Sequence, residues 1–115
     1  MFNKGDIVRC IIRKYIYTSY MRPCTVKGYD HLGKLIVEPF NDDGSTYDVE
    51  DKYFEIVPST EILEEGQEIK VNGIDNKSAI YFVKYLYNSM VRVEVNGRYE
   101  NIDIERIIYI KEFYI

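Results

Sequence analysis

The sequence predicts an all-β protein built from two small modules in succession, and three observations carry that expectation. The first is an internal repeat: Gly5-Asp6-Ile7-Val8 opens a run of short apolar segments that closes on Tyr47-Asp48-Val49 and Phe54-Glu55-Ile56-Val57, and Gly66-Gln67-Glu68-Ile69 opens a second run closing on Ile102-Asp103-Ile104 and Ile107-Ile108-Tyr109-Ile110. A period of roughly 55 to 60 residues is that of a repeated structural unit. The second is residue choice, since Ile, Val, Tyr and Phe dominate the apolar positions and fit a pleated surface. The third is spacing: apolar residues alternate, and no stretch sustains a 3.6-residue period. Modules of 1–58 and 62–115 follow, each marginal alone.

The first strand is predicted over 6–14. Alternation puts Val8, Cys10 and Ile12 on the core face and Ile7, Arg9, Ile11 and Arg13 on the outer face. A tyrosine-rich connection, 15–23, leads to a second strand over 24–29 that turns at Asp30-His31-Leu32-Gly33, and 34–40 is the third. Asn41-Asp42-Asp43-Gly44 is a turn signal, because Asn and Asp tolerate left-handed backbone and Gly carries no Cβ. A fourth strand over 45–49, a helical turn over 50–53 and a fifth strand over 54–57 complete the module.

Pro58-Ser59-Thr60-Glu61 reads as a linker. The second module is predicted to run 67–71, a loop over 72–77, then strands 78–87 and 90–95. Asn96-Gly97 between apolar runs matches a type I′ hairpin, and a turn over 102–106 precedes the last strand, 107–110. Ala79 to Tyr87 is apolar at both parities, which is expected if one face fills its own barrel and the other meets the first module.

A hydrophobic content of 46% beside 30% charged residues supports a packed core and excludes a disordered chain. No run reaches the 18 or so apolar residues that span a bilayer, and Met1-Phe2-Asn3-Lys4-Gly5-Asp6 lacks an apolar signal region. A cytoplasmic protein is expected. In a reducing compartment Cys10 and Cys24 are then inert packing thiols, and with a single histidine they do not make a four-ligand metal site without carboxylates.

The net charge of −4 hides an asymmetry, with +5 over residues 1–27 and −9 over the rest. The basic portion, Arg9, Arg13, Tyr15, Tyr17, Tyr20 and Arg22, is the candidate binding surface, because guanidinium groups beside aromatic rings suit protein hot spots as well as phosphates and bases. The competing reading pairs Arg9 and Arg13 with the protein's own carboxylates across strands. Nucleic acid is the alternative partner, and an acidic chain must confine phosphate contacts to this one patch. His31 in its turn, no phosphate-binding glycine loop and no paired catalytic carboxylates point away from an enzyme, and no cofactor or metal is expected.

Five short strands, a long first loop and a helical turn before the last strand resemble the SH3-like barrel, and the spacing is most similar to Tudor-type domains. The resemblance rests on Glu38-Pro39-Phe40-Asn41-Asp42-Asp43-Gly44-Ser45 followed by Val49, in the places of that family's aliphatic-x-Phe-x-Asp-Tyr-Gly-Asn stretch and its Val. In Tudor domains that read methylated Arg or Lys, aromatic rings cage the cation. Phe40 matches one wall; the second wall falls on Asp43 and the usual Asn on Ser45, with Tyr20, Tyr29 and Tyr47 as candidate substitutes. The opening Gly5-Asp6-Ile7-Val8 is also similar to KOW-type barrels. The resemblance implies a non-enzymatic interaction module. The bias to Ile, Lys, Asn and Tyr with no Trp is what an AT-rich genome encodes, so a bacterial or bacteriophage accessory factor that binds and modulates a host protein is expected.

Overall fold

The computed structural model describes residues 1–13, 20–74 and 79–109. These are all-β, with three short 3-10 turns and no α-helix among them. No helix among the described residues is long and apolar enough to cross a membrane. The chain divides into two compact units, Met1–Val57 and Pro58–Ile115.

In the first unit β1 (Ile7–Cys10), β2 (Pro23–Tyr29), β3 (Leu35–Pro39), β4 (Tyr47–Val49) and β5 (Phe54–Ile56) form one five-stranded sheet in the order β4-β3-β2-β1-β5. All four pairings are antiparallel. The core-face alternation expected for β1 is present: Val8 and Cys10 are fully buried against Cys24, Val26, Leu35 and Val37, and Ile12 packs on the same cluster. β1 is shorter than expected, ending at Cys10, although Ile11 N still donates to the Tyr53 carbonyl at 2.9 Å in register with β5.

The second unit repeats this order. β6 (Glu68–Val71), β7 (Ile80–Tyr85), β8 (Met90–Val95), β9 (Arg98–Asp103) and β10 (Ile107–Ile108) run β10-β6-β7-β8-β9, again antiparallel throughout. The repeat extends to individual hydrogen bonds. Gly5 N donates to Val26 O at 2.8 Å and Gly66 N to Phe82 O at 2.7 Å. Val26 N returns to Asp6 O and Phe82 N to Gln67 O, each at 2.8 Å. The entry turns match as well: the Asp6 carboxylate accepts from Asn3 N at 2.8 Å, and the Gln67 amide oxygen accepts from Glu64 N at 3.1 Å. The last strand of each unit follows a 3-10 turn, Asp51–Tyr53 in the first and Ile104–Arg106 in the second.

Each unit also carries a β-bulge at the same place, between Val26 and Gly28 and between Phe82 and Lys84. The bulge corrects the reading of the doubly apolar strand. β7 covers only 80–85, with Ile80, Phe82 and Tyr85 buried while Tyr81 is 42% exposed. One extra residue, Val83, resets the alternation so that 82 and 85 both face inward. The second apolar face is thus the product of a register change, with Tyr81 and Lys84 exposed. At the β8–β9 hairpin Asn96 and Gly97 have φ of 54° and 74°, the left-handed pair that a type I′ turn requires.

Candidate functional site

Of the six residues predicted to form a binding surface, the structure describes four, and it separates them by role. Tyr15 and Tyr17 lie outside the described residues. Arg9 sits on the middle strand of the three formed by β2, β1 and β5, opposite Pro23 and Glu55. Only 9% of it is accessible, and its Nε donates to Glu55 Oε1 at 2.8 Å, the cross-strand carboxylate pairing that was the competing expectation for Arg9. A central strand presents its outer face to the side chains of both neighbours, and the Glu55 carboxylate supplies the charge that makes this covering tolerable.

Arg22 departs from expectation, with 1% exposure. Its Nε donates to the Phe40 carbonyl at 2.8 Å, and Nη2 reaches the same oxygen. The side chain therefore ties the start of β2 to the end of β3. Both arginines are engaged by groups of the first unit itself.

Arg13 and Tyr20 are brought together. The Arg13 guanidinium lies 4.3 Å over the centroid of the Tyr20 ring. A parallel bridge between Cys10 and Tyr20, with Met21 N donating to Cys10 O at 2.9 Å, carries the returning chain alongside the end of β1. Ile11, two residues before Arg13 in the chain, is 43% exposed. A guanidinium over an aromatic face is attracted by the ring quadrupole, and arginine stacks there better than lysine. Elsewhere on the basic stretch, Lys27 approaches Glu38 to 3.7 Å.

The positions singled out by the Tudor resemblance are scattered among structural tasks. Phe40 is half-buried and its carbonyl is the acceptor for Arg22. Tyr29 and Tyr47 pack against the core, and the Tyr29 hydroxyl donates to Asp51 Oδ2 while accepting from Phe2 N, both at 3.1 Å. Asp43, in the place of a ring, accepts from Ser45 N at 2.9 Å, and hydrogen bonds from Ser45 hold its carboxyl below the usual range.

Sequence reading missed a shallow cleft of about 320 Å³ lined by Leu32, Gly33, Lys34, Glu50, Asp51 and Lys52. Beside it, Asp30 and Asp48 share a hydrogen bond between their carboxyl groups, which lowers Asp30 and raises Asp48. Asp30 is additionally held by Lys34 N and Leu32 N, at 2.9 and 2.8 Å to Oδ1, which favours its charged form over that of Asp48. The stabilisation from Asp48 is present at low pH and lost as pH rises through its raised value; that from Asp30 runs the other way. Asp48→Asn supplies the donor at every pH. We therefore expect it to raise the melting temperature near pH 7 and to change it much less in acid, once the pH lies below the raised value of Asp48 and the parent holds the shared proton. An equal shift at both pH values would discount the shared proton.

Chemistry at the thiols is suppressed. Cys10 and Cys24 are free and fully buried, and burial pushes the Cys24 thiol up to about 12 despite the opposing charge of Arg22. A thiolate is the reactive form, so Cys24 is inert at neutral pH. Among the described residues no three His, Cys, Asp or Glu side chains converge as a metal set. His31 is exposed in its turn.

The chain matches no protein-family model, and no curated protein is significantly similar to it.

Proposed function

We propose that this is a non-enzymatic protein-binding module, a pair of SH3-like barrels of Tudor type, whose contact surface centres on Arg13 and Tyr20 with Ile11 at its margin. The observation that carries the reading is the Arg13 guanidinium stacked 4.3 Å over Tyr20 beyond the end of β1. Arg and Tyr recur at binding hot spots because they bury large area and keep directional hydrogen bonds. The strand order β4-β3-β2-β1-β5, with a 3-10 turn before β5, supports the barrel assignment. The chemistry fits a partner segment that brings a carboxylate to the guanidinium and an apolar side chain to Tyr20 and Ile11. A bacterial or bacteriophage accessory factor acting on a host protein in the cytoplasm is the setting in which such a module operates.

Nucleic acid is the weaker reading. Arg9 is engaged by Glu55 and Arg22 by a backbone carbonyl, which removes two of the basic groups that a phosphate ladder needs.

The test is quantitative affinity capture from host lysate with the parent and with Arg13→Glu/Tyr20→Ala as baits. A protein retained by the parent should bind the variant at least about thirtyfold more weakly, as loss of a hot spot entails. Capture unchanged by the double substitution, or a parent whose main ligand is generic DNA or RNA bound with a steep negative salt dependence, would overturn the reading.

A further inference from the structure

The longest exposed sheet edge in the described residues is β9. It runs six residues, Arg98–Asp103, against three for β4, three for β5 and two for β10. Its first four residues are exposed in succession, and Tyr99 is 67% exposed. A regular edge of this length is a template for another strand.

The hairpin fixes which backbone groups it offers. With a two-residue turn at Asn96-Gly97, the closing pair Val95 and Arg98 is hydrogen-bonded, and the ladder alternates from there through Val93 opposite Glu100 and Val91 opposite Ile102. Arg98, Glu100 and Ile102 thus give their N–H and C=O groups to β8. Tyr99, Asn101 and Asp103 point theirs outward, and no described strand takes them.

We infer that this edge pairs with the same edge of a second copy of the chain, antiparallel about a two-fold axis at Tyr99, with Arg98 of each copy opposite Glu100 of the other. Outward groups must meet outward groups, so only registers that keep parity are allowed, and side-chain charge chooses among them. An axis at Arg98 sets two cations opposite each other, and one at Glu100 sets two carboxylates opposite each other. An axis at Asn101 places Glu100 against Ile102. The axis at Tyr99 instead makes two opposite-charge pairs at non-hydrogen-bonded positions, where side chains come closest, and joins two exposed rings across a hydrogen-bonded pair. Of the four registers compared, the one about Tyr99 is self-complementary in charge, which favours the edge's own copy over an unrelated strand.

Sedimentation velocity of the full chain up to about 1 mM tests this, a range that detects association of modest affinity. The parent should show a reversible monomer–dimer equilibrium. Glu100→Arg should weaken it at least about tenfold by turning both attractive pairs into repulsive ones. Combining it with Arg98→Glu should restore the parent's constant. Tyr99→Pro should abolish the dimer while leaving the hairpin folded, because the Tyr99 N–H is not used by β8. Hydrogen exchange at β8 amides checks that the hairpin persists. A parent monomeric throughout, a Glu100→Arg variant that dimerises as tightly as the parent, or a charge-swapped pair that fails to recover would each overturn the assignment.

Discussion

Replacing Phe82 with Ala is expected to cost about 3–5 kcal/mol, among the largest losses a single substitution produces in a small core. Phe82 is 3% exposed, and its ring centroid stands 4.8 Å from that of Tyr85 at an interplanar angle of 59°. Truncation removes the transfer free energy of the ring, leaves a cavity beneath the central strand of the sheet, and forfeits the tilted aromatic pair, worth about 1 kcal/mol beyond its area. The backbone has little room to collapse into the space, since Phe82 N and O are both committed, to Gln67 O at 2.8 Å and Gly66 N at 2.7 Å. Tyr81→Ala, one residue away and 42% exposed, should stay within about 1 kcal/mol. Urea titration measures both, and hydrogen exchange at Ile80 and Val93 localises the loss to the second unit. Similar costs at the two positions would show that the bulge does not set the inward face.

That contrast marks where sequence reading ends. Alternation at Val8 and Cys10, the Asn-Gly turn and the repeated Gly openings are local signals, and each specifies backbone within a few residues. Phe82 and Tyr85 facing the same way is not local: it needs the extra residue at Val83, and nothing in Tyr81-Phe82-Val83-Lys84 distinguishes a bulged strand from one that is apolar on both sides. The matching bulge beside Gly28 offers the only hint, since glycine in a strand interior often marks one.

For Arg9 the cross-strand carboxylate partner, one of the two readings of the sequence, is the one present, whereas the partner of Arg22 was not foreseen. A guanidinium reads as exposed unless its partner is known, and the partners here are distant in sequence: Glu55 lies 46 residues from Arg9, and the Phe40 carbonyl lies 18 from Arg22. A carboxylate at a cross-strand position can be guessed from charge. A backbone oxygen at the end of a strand leaves no trace in composition. The Arg13–Tyr20 stack was not foreseen either, since it depends on where the chain returns beside β1.

Arg22→Ala is expected to cost about 3 kcal/mol, and the comparison with Arg22→Met explains why. Hydrogen bonds from a charged donor contribute about 1.5–3 kcal/mol, and the buried stem adds about 0.8 kcal/mol for each methylene removed from water. Against these stands the cost of taking a guanidinium out of water at a position only 1% exposed. Alanine loses bonds and stem together, and leaves the Phe40 carbonyl without the donors that now reach it through Nε and Nη2. Methionine keeps most of the stem and removes the buried charge, so its cost should fall to about 1 kcal/mol, the stranded carbonyl being partly offset by the relieved desolvation. Lysine keeps the charge but not the planar fork that sends two N–H groups to one oxygen, and it should be worse than methionine. Thermal and urea unfolding of the three variants give the order. If lysine proves the mildest, charge rather than forked hydrogen bonding holds β2 to β3; if alanine costs less than about 1 kcal/mol, Arg22 is not part of the first unit's framework.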